Sequence, residues 1–432
     1  MSGRDDTSTT DETAGQQNPA AGLLVSLSMS RAGSLPHVPD RKTAETINLT
    51  KADSSDNKMN VEASGVVRRL SYPAIDGLRF YAAMLVFIVH FTTMCAASIT
   101  RMELPTRGSA PQLGLPQFVL WLGDGQHGVD IFFVISGFLM GRMVLAPRGF
   151  SYGHFLWKRV LRIYPAFLAS EVLAVLAYYL LFGVPFWTWS FLGNLLFLNS
   201  IQDLGLYVYN YPTWSLGYEV AFYLIVPVAL IFRRLFGAHL ATAIMLALAI
   251  ALIPDAYIRM RGLFVGTLIA SFSDVHLRRA GRLLPAPVLL GVYFGVTILK
   301  DTYVIGYLAF YDVMIVTVAL LFIHIVFSDG LLNRAFRSRP MRFLGTLSYS
   351  FYLLHATVLS TVLTTLMPLF GLAGPPTQQV LTFVVLGFTG SLGLAWASYV
   401  LFERPYFARH TVLSDQQPGL QPAGAHAGRS RR

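Results

Sequence analysis

The chain has 432 residues, of which 54% are hydrophobic and only 13% are charged. Soluble domains carry about 25% charged residues, so this composition excludes an ordinary soluble protein and indicates a chain with many membrane-spanning segments. The net charge of +10 comes mostly from Lys and Arg in loops and tails beside apolar segments. This pattern is typical of membrane topology and contact with anionic lipid, not of nucleic-acid binding.

The two ends of the chain are polar and flank one long apolar region. Residues 1–70 are rich in Ser, Thr, Asp and Gly, and we predict a disordered tail there because they cannot bury enough apolar surface to fold alone. Residues 411–432 are predicted to form a second disordered tail for the same reason. No signal peptide is expected, since the apolar patch AGLLVSLSM is short and follows an acidic stretch. Residues 71–410 are predicted to form one all-α transmembrane domain.

Eleven apolar segments divide the transmembrane domain into candidate helices. They are 77–98, 127–146, 160–182, 187–201, 213–232, 239–254, 257–273, 284–299, 305–327, 343–370 and 379–402. The short segment 187–201 contains WTW, and Trp favours the headgroup zone, so we predict that this segment lies in the interface or re-enters. The other ten segments are predicted to cross the membrane. With Arg68 and Arg69 inside, this choice places every later arginine cluster and both chain ends in the cytoplasm.

The segment 77–98 carries two residues that a membrane normally excludes. Arg79 and His90 are eleven residues apart. Both therefore project from one helix face, about 16 Å apart along the axis. Together they favour a buried site for a charged ligand, and the alternative is a snorkelling Arg and a His bonded to a neighbouring helix. Cys95, the single cysteine, excludes an intramolecular disulfide, and we interpret it as a packing residue.

A carboxylate and a second histidine are expected at a depth comparable to that of His90. Glu219, in PTWSLGYEVAFYL, is predicted to lie about 9 Å below the outer surface, and His90 about 20 Å from the inner one. A His with a carboxylate at hydrogen-bond distance is a general base held in one tautomer. We predict this pairing for His90 and Glu219. The alternative is an ion pair or hydrogen bond that only holds two helices together. His355, in SYSFYLLHATVL, is interpreted as a packing or pocket residue.

Other polar residues indicate a cationic mouth and pocket walls. Lys158, Arg159 and Arg162, in WKRVLRIYP, are predicted to join Arg79 in a cationic mouth suited to phosphates, or else to serve topology and lipid headgroups. Four further pocket residues are predicted, namely Asp130, Ser136, Trp214 and Tyr218. Asp312 and Glu171 are weaker candidates that would neutralise an arginine. No metal is predicted, since the sequence has no HExxH and no dense cluster of His, Cys or Asp.

Two glycine pairs predict close packing between helices. GFLMG at 137–141 and GLFVG at 262–266 have the spacing of small residues that lets two helices approach each other. These are packing signals and carry no chemistry.

Together these stretches resemble the membrane acyltransferase family called acyltransferase 3. IDGLRFYAAMLVFIVH is similar to its opening motif, with Arg79 and His90 at the Arg-x10-His spacing. Its later motifs are similar to GVDIFFVISGFLM, WKRVLRIYP, PTWSLGYEVAFYL, FLGTLSYSFYLLH and FERP, which follow in the same order within residues 72–410. The family often has two adjacent carboxylates after the Trp-Ser, whereas here Glu219 is followed by Val220.

The resemblance implies transfer of an acyl group, with acetyl expected, from a cytoplasmic acyl-CoA to a saccharide hydroxyl. The acceptor would be a cell-envelope or exported polysaccharide, or its lipid-linked or glycolipid precursor. The chain would lie in a bacterial inner membrane with polysaccharide-biosynthesis proteins as partners. The arginines and Lys158 would hold the phosphates of coenzyme A. His90 would take the proton of the acceptor hydroxyl with Glu219 orienting its ring, or would itself carry the acyl group.

Other functions are compatible with the same residues. A proton-coupled carrier would also use ten spans with intramembrane His, Glu and Asp, although we find no inverted repeat. A lipid-binding or scaffold protein would not need Arg79 and His90 on one face. Within the resemblance, a small acceptor such as a macrolide is the alternative to a saccharide.

Overall fold

The computed structural model describes residues 72–98, 127–145, 150–301, 306–370 and 375–406. These residues form α-helices joined by loops and by short 3₁₀ and π turns, and no strand is found among them. The all-α prediction is therefore confirmed. The predicted tails at 1–70 and 411–432 lie outside the described residues.

Thirteen α-helices run through the part of the chain that the structure describes. They are α1 Pro73–Ser98, α2 His127–Val144, α3 Tyr152–Phe182, α4 Thr188–Leu195, α5 Trp214–Leu252, α6 Arg261–Ser271, α7 Asp274–Leu283, α8 Ala286–Asp301, α9 Tyr307–Phe327, α10 Leu331–Phe336, α11 Arg339–Thr361, α12 Met367–Phe370 and α13 Pro376–Ser398. A 3₁₀ turn, Tyr211–Thr213, precedes α5, and a π turn, Tyr399–Glu403, follows α13.

The fold is that of an integral membrane protein. Among the described residues, seven helical segments are long and apolar enough to cross a membrane, or eight if the bent pair α7 and α8 is one span. The predicted number of ten stays a prediction. One reason for the difference is α5, which runs through two predicted spans and breaks at Gly237, where φ is +77°, a conformation that glycine adopts readily. α4 has eight residues and is too short to cross, as predicted for 187–201.

Helix α2 forms the centre of the bundle. Of its 18 residues only Arg142 and Met143 are not buried, as expected for a helix that is apolar all round. It packs against α6 through the predicted glycines. A Cβ on Gly137 would lie 1.9 Å from the carbonyl oxygen of Leu263, and one on Gly266 would meet the backbone of α2 equally closely. The prediction that these glycines permit close helix contact is confirmed.

Helices α1, α3 and α11 run in the same direction from one end of the bundle. A Cβ on Gly345, near the start of α11, would lie 2.2 Å from the carbonyl oxygen of Asp76 on the first turn of α1. Tyr349 of α11 donates a hydrogen bond to the carbonyl of Ile163 on α3, at 2.8 Å. Residues a similar number of turns along these helices therefore reach similar depths. We call the end at which α1 begins the arginine end.

Candidate active site

His90 of α1 and His355 of α11 form a hydrogen-bonded pair. Nδ1 of His90 lies 2.7 Å from Nε2 of His355. The ring planes differ by 18° and their centroids are 4.9 Å apart, which fits an edge-to-edge N–H···N bond. The two residues are 6% and 0% exposed, so water does not compete for this bond.

A backbone carbonyl fixes the protonation of the pair. Nδ1 of His355 lies 2.7 Å from the carbonyl oxygen of Tyr352. A carbonyl only accepts, so this nitrogen carries the proton and, in the neutral ring, Nε2 of His355 is an acceptor. His90 must then donate from its Nδ1, and its Nε2 carries the lone pair. The hydrogen-bond network thus assigns a single basic nitrogen to the pair, at His90 Nε2.

The turn Tyr211–Thr213 closes the site beside His90. The ring of Tyr211 meets that of His90 edge to face, with centroids 5.7 Å apart, and Tyr211 is 40% exposed. The hydroxyl of Tyr352 donates to the carbonyl of Pro212 within the turn, at 2.7 Å. The tyrosine whose carbonyl orients the histidine pair therefore also holds the turn that faces it.

Glu171 of α3 anchors the other side of this turn. The hydroxyl of Thr213 donates to the Glu171 carboxyl at 3.0 Å, and Asn199 donates to the same hydroxyl at 3.0 Å. The sequence suggested that Glu171 would neutralise an arginine. In the structure its carboxyl accepts from a hydroxyl instead and positions the start of α5.

Three arginines gather about 16 Å along α1 from His90, toward the arginine end. Arg79 of α1 and Arg159 and Arg162 of α3 are all buried. Arg159 lies over the ring of Phe155, with its guanidinium carbon 5.1 Å from the centroid. Among the described residues, no acceptor bonds to the Nε of Arg79 or of Arg159. These N–H groups are suited to the oxygens of an anionic ligand.

Glu219 belongs to the arginine cluster and not to the histidine pair. Its carboxyl accepts hydrogen bonds from Tyr223 and from Ser136, one of the predicted pocket residues, and its charge interacts with Arg159. The predicted pairing of Glu219 with His90 is therefore corrected, since His355 occupies Nδ1 of His90.

The error in the depth of Glu219 has a physical origin. The prediction assumed that the helix that carries Glu219 begins at the outer membrane surface. In the structure the preceding segment turns back into the bundle, and Thr213 and Trp214 at the helix start are 0% and 7% exposed. α5 thus begins beside Tyr352, and Glu219, five residues on, lies about 8 Å nearer the arginine end.

Glu403 is a second buried acid in the arginine cluster, and the sequence analysis gave it no role. It lies on the π turn that follows α13 and accepts a hydrogen bond from Ser350 at 2.6 Å. Its charge interacts with Arg79 and Arg162. The signal was present in the motif FERP, and π turns recur at functional sites. Asp76, on the first turn of α1, also interacts with Arg79 and lies 3.8 Å from Arg342. With these three acids ionised, the four arginines leave the cluster with a net charge of +1.

Two other intramembrane acids form ion pairs away from these groups. Oδ2 of Asp130, a predicted pocket residue, lies 3.4 Å from Nη2 of Arg259. Oδ1 of Asp312 lies 2.8 Å from Nη1 of Arg261, so Asp312 neutralises an arginine as predicted. Both pairs fasten the segment 255–271 to its neighbours.

The remaining predicted residues have packing contacts. The rings of Trp214 and Tyr218 meet with centroids 4.8 Å apart at the start of α5. Lys158 is partly buried, and its backbone carbonyl accepts a hydrogen bond from Tyr406 at 3.2 Å. Cys95 is buried, in agreement with its predicted packing role. The described residues hold no group of three His, Cys, Asp or Glu arranged to bind a metal ion.

Comparison with known proteins identifies the family of this chain. The family model described as "Acyltransferase domain" matches residues 72–400. The chain belongs to the acyltransferase 3 family. BcsY of Komagataeibacter xylinus, named as a membrane-bound transacylase, is 32% identical over 124 residues, which are 24% of this chain and 31% of that protein. No solved structure matches the chain. The chain therefore carries a membrane acyltransferase domain, as the resemblance implied.

Proposed function

We propose that this acyltransferase moves an acyl group, acetyl by expectation, from acyl-CoA to a hydroxyl of a cell-envelope saccharide or its lipid-linked precursor. The observation that carries the proposal is the chain of hydrogen bonds from the Tyr352 carbonyl through His355 to His90. It leaves one buried basic nitrogen, which is what removal of a proton from a hydroxyl requires.

The arginine cluster supports an anionic donor. The Nε groups of Arg79 and Arg159 have no acceptor among the described residues, and buried arginines bind phosphate oxygens strongly through two parallel N–H groups. Phosphates held there would let the pantetheine arm of coenzyme A extend along α1 toward His90. On this proposal the donor enters at the arginine end, which we assign to the cytoplasm of a bacterial inner membrane.

His90 then acts as the general base. Its Nε2 takes the proton of the acceptor hydroxyl while the oxygen attacks the thioester carbonyl carbon. The C–S bond breaks, and the proton on Nε2 passes to the departing thiolate, which leaves as free coenzyme A. In the alternative order, Nε2 attacks the thioester first, the C–S bond breaks and the thiolate of coenzyme A departs. The acyl group then moves from the imidazole to the hydroxyl, whose proton passes to the thiolate. In both, the hydrogen bond to His355 keeps the lone pair on Nε2 of His90.

The acceptor is proposed to enter past Tyr211. This ring touches His90 and is partly exposed, whereas His355 is fully enclosed. A partly exposed aromatic ring provides a flat apolar surface with a polar edge. This suits a sugar ring, which has both apolar and polar surface. A buried thioester also meets little water, so transfer is favoured over hydrolysis.

The test is transfer of radiolabelled acetyl groups from acetyl-CoA in proteoliposomes, with extracted cell-envelope glycans as acceptors. Wild type is compared with His90→Ala and with a matched control, His154→Ala, whose imidazole is exposed on α3. We expect label in the glycan fraction with wild type and with the control, and a loss of about 10²–10⁴-fold in His90→Ala.

Other outcomes would redirect the assignment. Equal transfer by His90→Ala would place the base elsewhere. If wild-type protein binds coenzyme A but labels no glycan, the proposed donor is retained and the proposed saccharide acceptor is rejected. A macrolide acceptor would then be tested. Protein that neither binds coenzyme A nor transfers label would contradict the donor.

A further inference from the structure

An apolar cavity lies on the opposite side of α1 from the histidine pair. Its volume is about 190 Å³. α1 contributes Leu78 and Tyr81 to its wall, and α2, α8, α9 and α10 contribute the rest. At 3.6 residues per turn these two residues point away from the face that carries Arg79 and His90. The cavity is therefore separate from the candidate active site.

The cavity accepts hydrocarbon and excludes polar ligands. Aliphatic and aromatic side chains form its wall. A cavity of about 150 Å³ with similar walls stays free of water and binds small hydrocarbons. A polar ligand would lose its hydrogen bonds to water there and gain few in return.

The cavity lies just below the arginine end of the bundle. Phe327, at the end of α9, meets the ring of Tyr72 before α1, with centroids 5.5 Å apart, which fixes the level of that end. On α9 the wall residues run from Val318 to Ile325. They therefore lie about 3–14 Å along the helix from its end. This is the depth of the acyl chains in the adjacent leaflet, since half the hydrocarbon core is about 15 Å thick.

Exposed arginines surround the helices that form the cavity at this end. α10 supplies the wall residues Leu332 and Phe336 and also carries the exposed Arg334, with the exposed Arg337 next in sequence. The basic helix α7 precedes the wall helix α8 and is bent by 77° from it. α7 carries further exposed arginines at 278, 279 and 282. A short amphipathic basic helix at this angle is typical of a segment lying along a membrane surface.

We propose that the cavity binds one acyl chain of an anionic phospholipid, whose phosphate is held by Arg334 and Arg337 with help from α7. The position below the membrane surface and the apolar wall select an acyl chain, and the arginines select a negative headgroup. Each arginine near the surface contributes about fivefold to the affinity for anionic lipid. This site does not depend on the proposed reaction.

The test uses the full chain purified in a neutral detergent. Its melting temperature is followed while dioleoyl phosphatidylglycerol or dioleoyl phosphatidylcholine is added. We expect the anionic lipid to stabilise wild type at lower concentration than the neutral lipid. The double variant Arg334→Gln, Arg337→Gln should raise the half-maximal concentration of phosphatidylglycerol about 25-fold. Arg234→Gln, which removes an exposed arginine of α5 outside the cavity wall, should leave it unchanged.

A second variant tests the acyl chain. Leu321→Trp fills the cavity from α9 and should abolish the difference between the two lipids. If that variant does not fold, mass spectrometry of the lipid retained through gel filtration gives a second measurement of the headgroup contact, with less phosphatidylglycerol expected on the double arginine variant than on wild type. Equal stabilisation by both lipids, an unchanged response of the double variant, or equal retention would each overturn the proposal.

Discussion

The histidine pair and the arginine cluster are both buried, but they are built on different principles. In the histidine pair, Tyr352, His355 and His90 form one directed series of hydrogen bonds between neutral groups, which ends at a single nitrogen. In the arginine cluster, buried arginines and acids interact through their charges, and the Nε groups of Arg79 and Arg159 have no acceptor among the described residues. The first region fixes a proton, and the second has capacity for added negative charge.

This difference separates two kinds of function. A directed series of neutral groups sets the reactivity of one atom and contributes mainly to the chemical step. Buried cations without full compensation are costly, and an anionic ligand that pairs with them recovers that cost as affinity. Substitutions in the histidine pair should therefore lower kcat, and substitutions of the arginines should raise the KM of the donor.

After His90 itself, the largest effect is expected for His355→Ala. Without the acceptor at Nε2 of His355, the ring of His90 is free to rotate or to change tautomer, so kcat should fall about 10²-fold while the donor KM changes little. His355→Gln offers a carboxamide oxygen to the His90 Nδ1–H and should recover part of the loss. Steady-state transfer rates with saturating acceptor measure both values. If His355→Ala keeps most of the wild-type kcat, the pair is structural.

Replacing an arginine should act on the donor. Arg79→Gln or Arg159→Gln removes a charge-assisted hydrogen bond worth about 1.5–3 kcal/mol, so the donor KM should rise about tenfold or more. The kcat at saturating donor should be nearly unchanged. Equilibrium binding of coenzyme A gives an independent measurement, with Arg234→Gln as the control. A fall in kcat without any change in coenzyme A binding would move these arginines into the chemical step.

A smaller effect is expected for Glu219→Gln. The amide keeps the shape of the side chain but removes one negative charge beside Arg159, so phosphate binding should strengthen and the donor KM should fall a few-fold. Because the carboxyl contacts Tyr223 and Ser136 and not His90, kcat should change by less than about tenfold. A loss as large as that of His355→Ala would support the pairing of Glu219 with His90 after all.

The smallest effect on the transfer rate is expected for alanine substitutions of two glycines at helix contacts. Gly345→Ala and Gly266→Ala each place a Cβ about 2.2 Å from a backbone oxygen, so each should destabilise the protein by about 1–3 kcal/mol. Gly345 sets the position of α11 against α1, the helices that carry the two histidines, whereas Gly266 packs α6 on α2. Activity per folded molecule should therefore fall a few-fold in Gly345→Ala only. Melting temperature and transfer rate are measured on the same samples.

Local patterns in the sequence were enough for the features that depend on one helix at a time. The spacing of Arg79 and His90 places them on one face of α1, since helical periodicity does not depend on neighbours. The same reasoning predicted that segment 187–201 does not cross and that the glycine pairs permit close packing. Each of these follows from composition or spacing within a single segment.

Partners across helices required the tertiary structure. Depths counted from membrane surfaces placed Glu219 beside His90, because the sequence does not show that the segment before α5 turns back into the bundle. His355 was expected at a suitable depth, but depth alone does not say which face of α1 a side chain on α11 meets. The sequence analysis recognised the motif that contains Glu403 but gave this residue no role, because its partners lie on other helices.

The sequence by itself determined that this is an all-α membrane protein, which family it belongs to, and which helix carries the arginine and the histidine. These follow from hydropathy, periodicity and motif order, all of which are local properties of the chain. Only the tertiary structure decided that His355 orients His90 and that Glu219 lies in the arginine cluster. Those assignments depend on where helices start and which of their faces touch, and contacts across the bundle settle both.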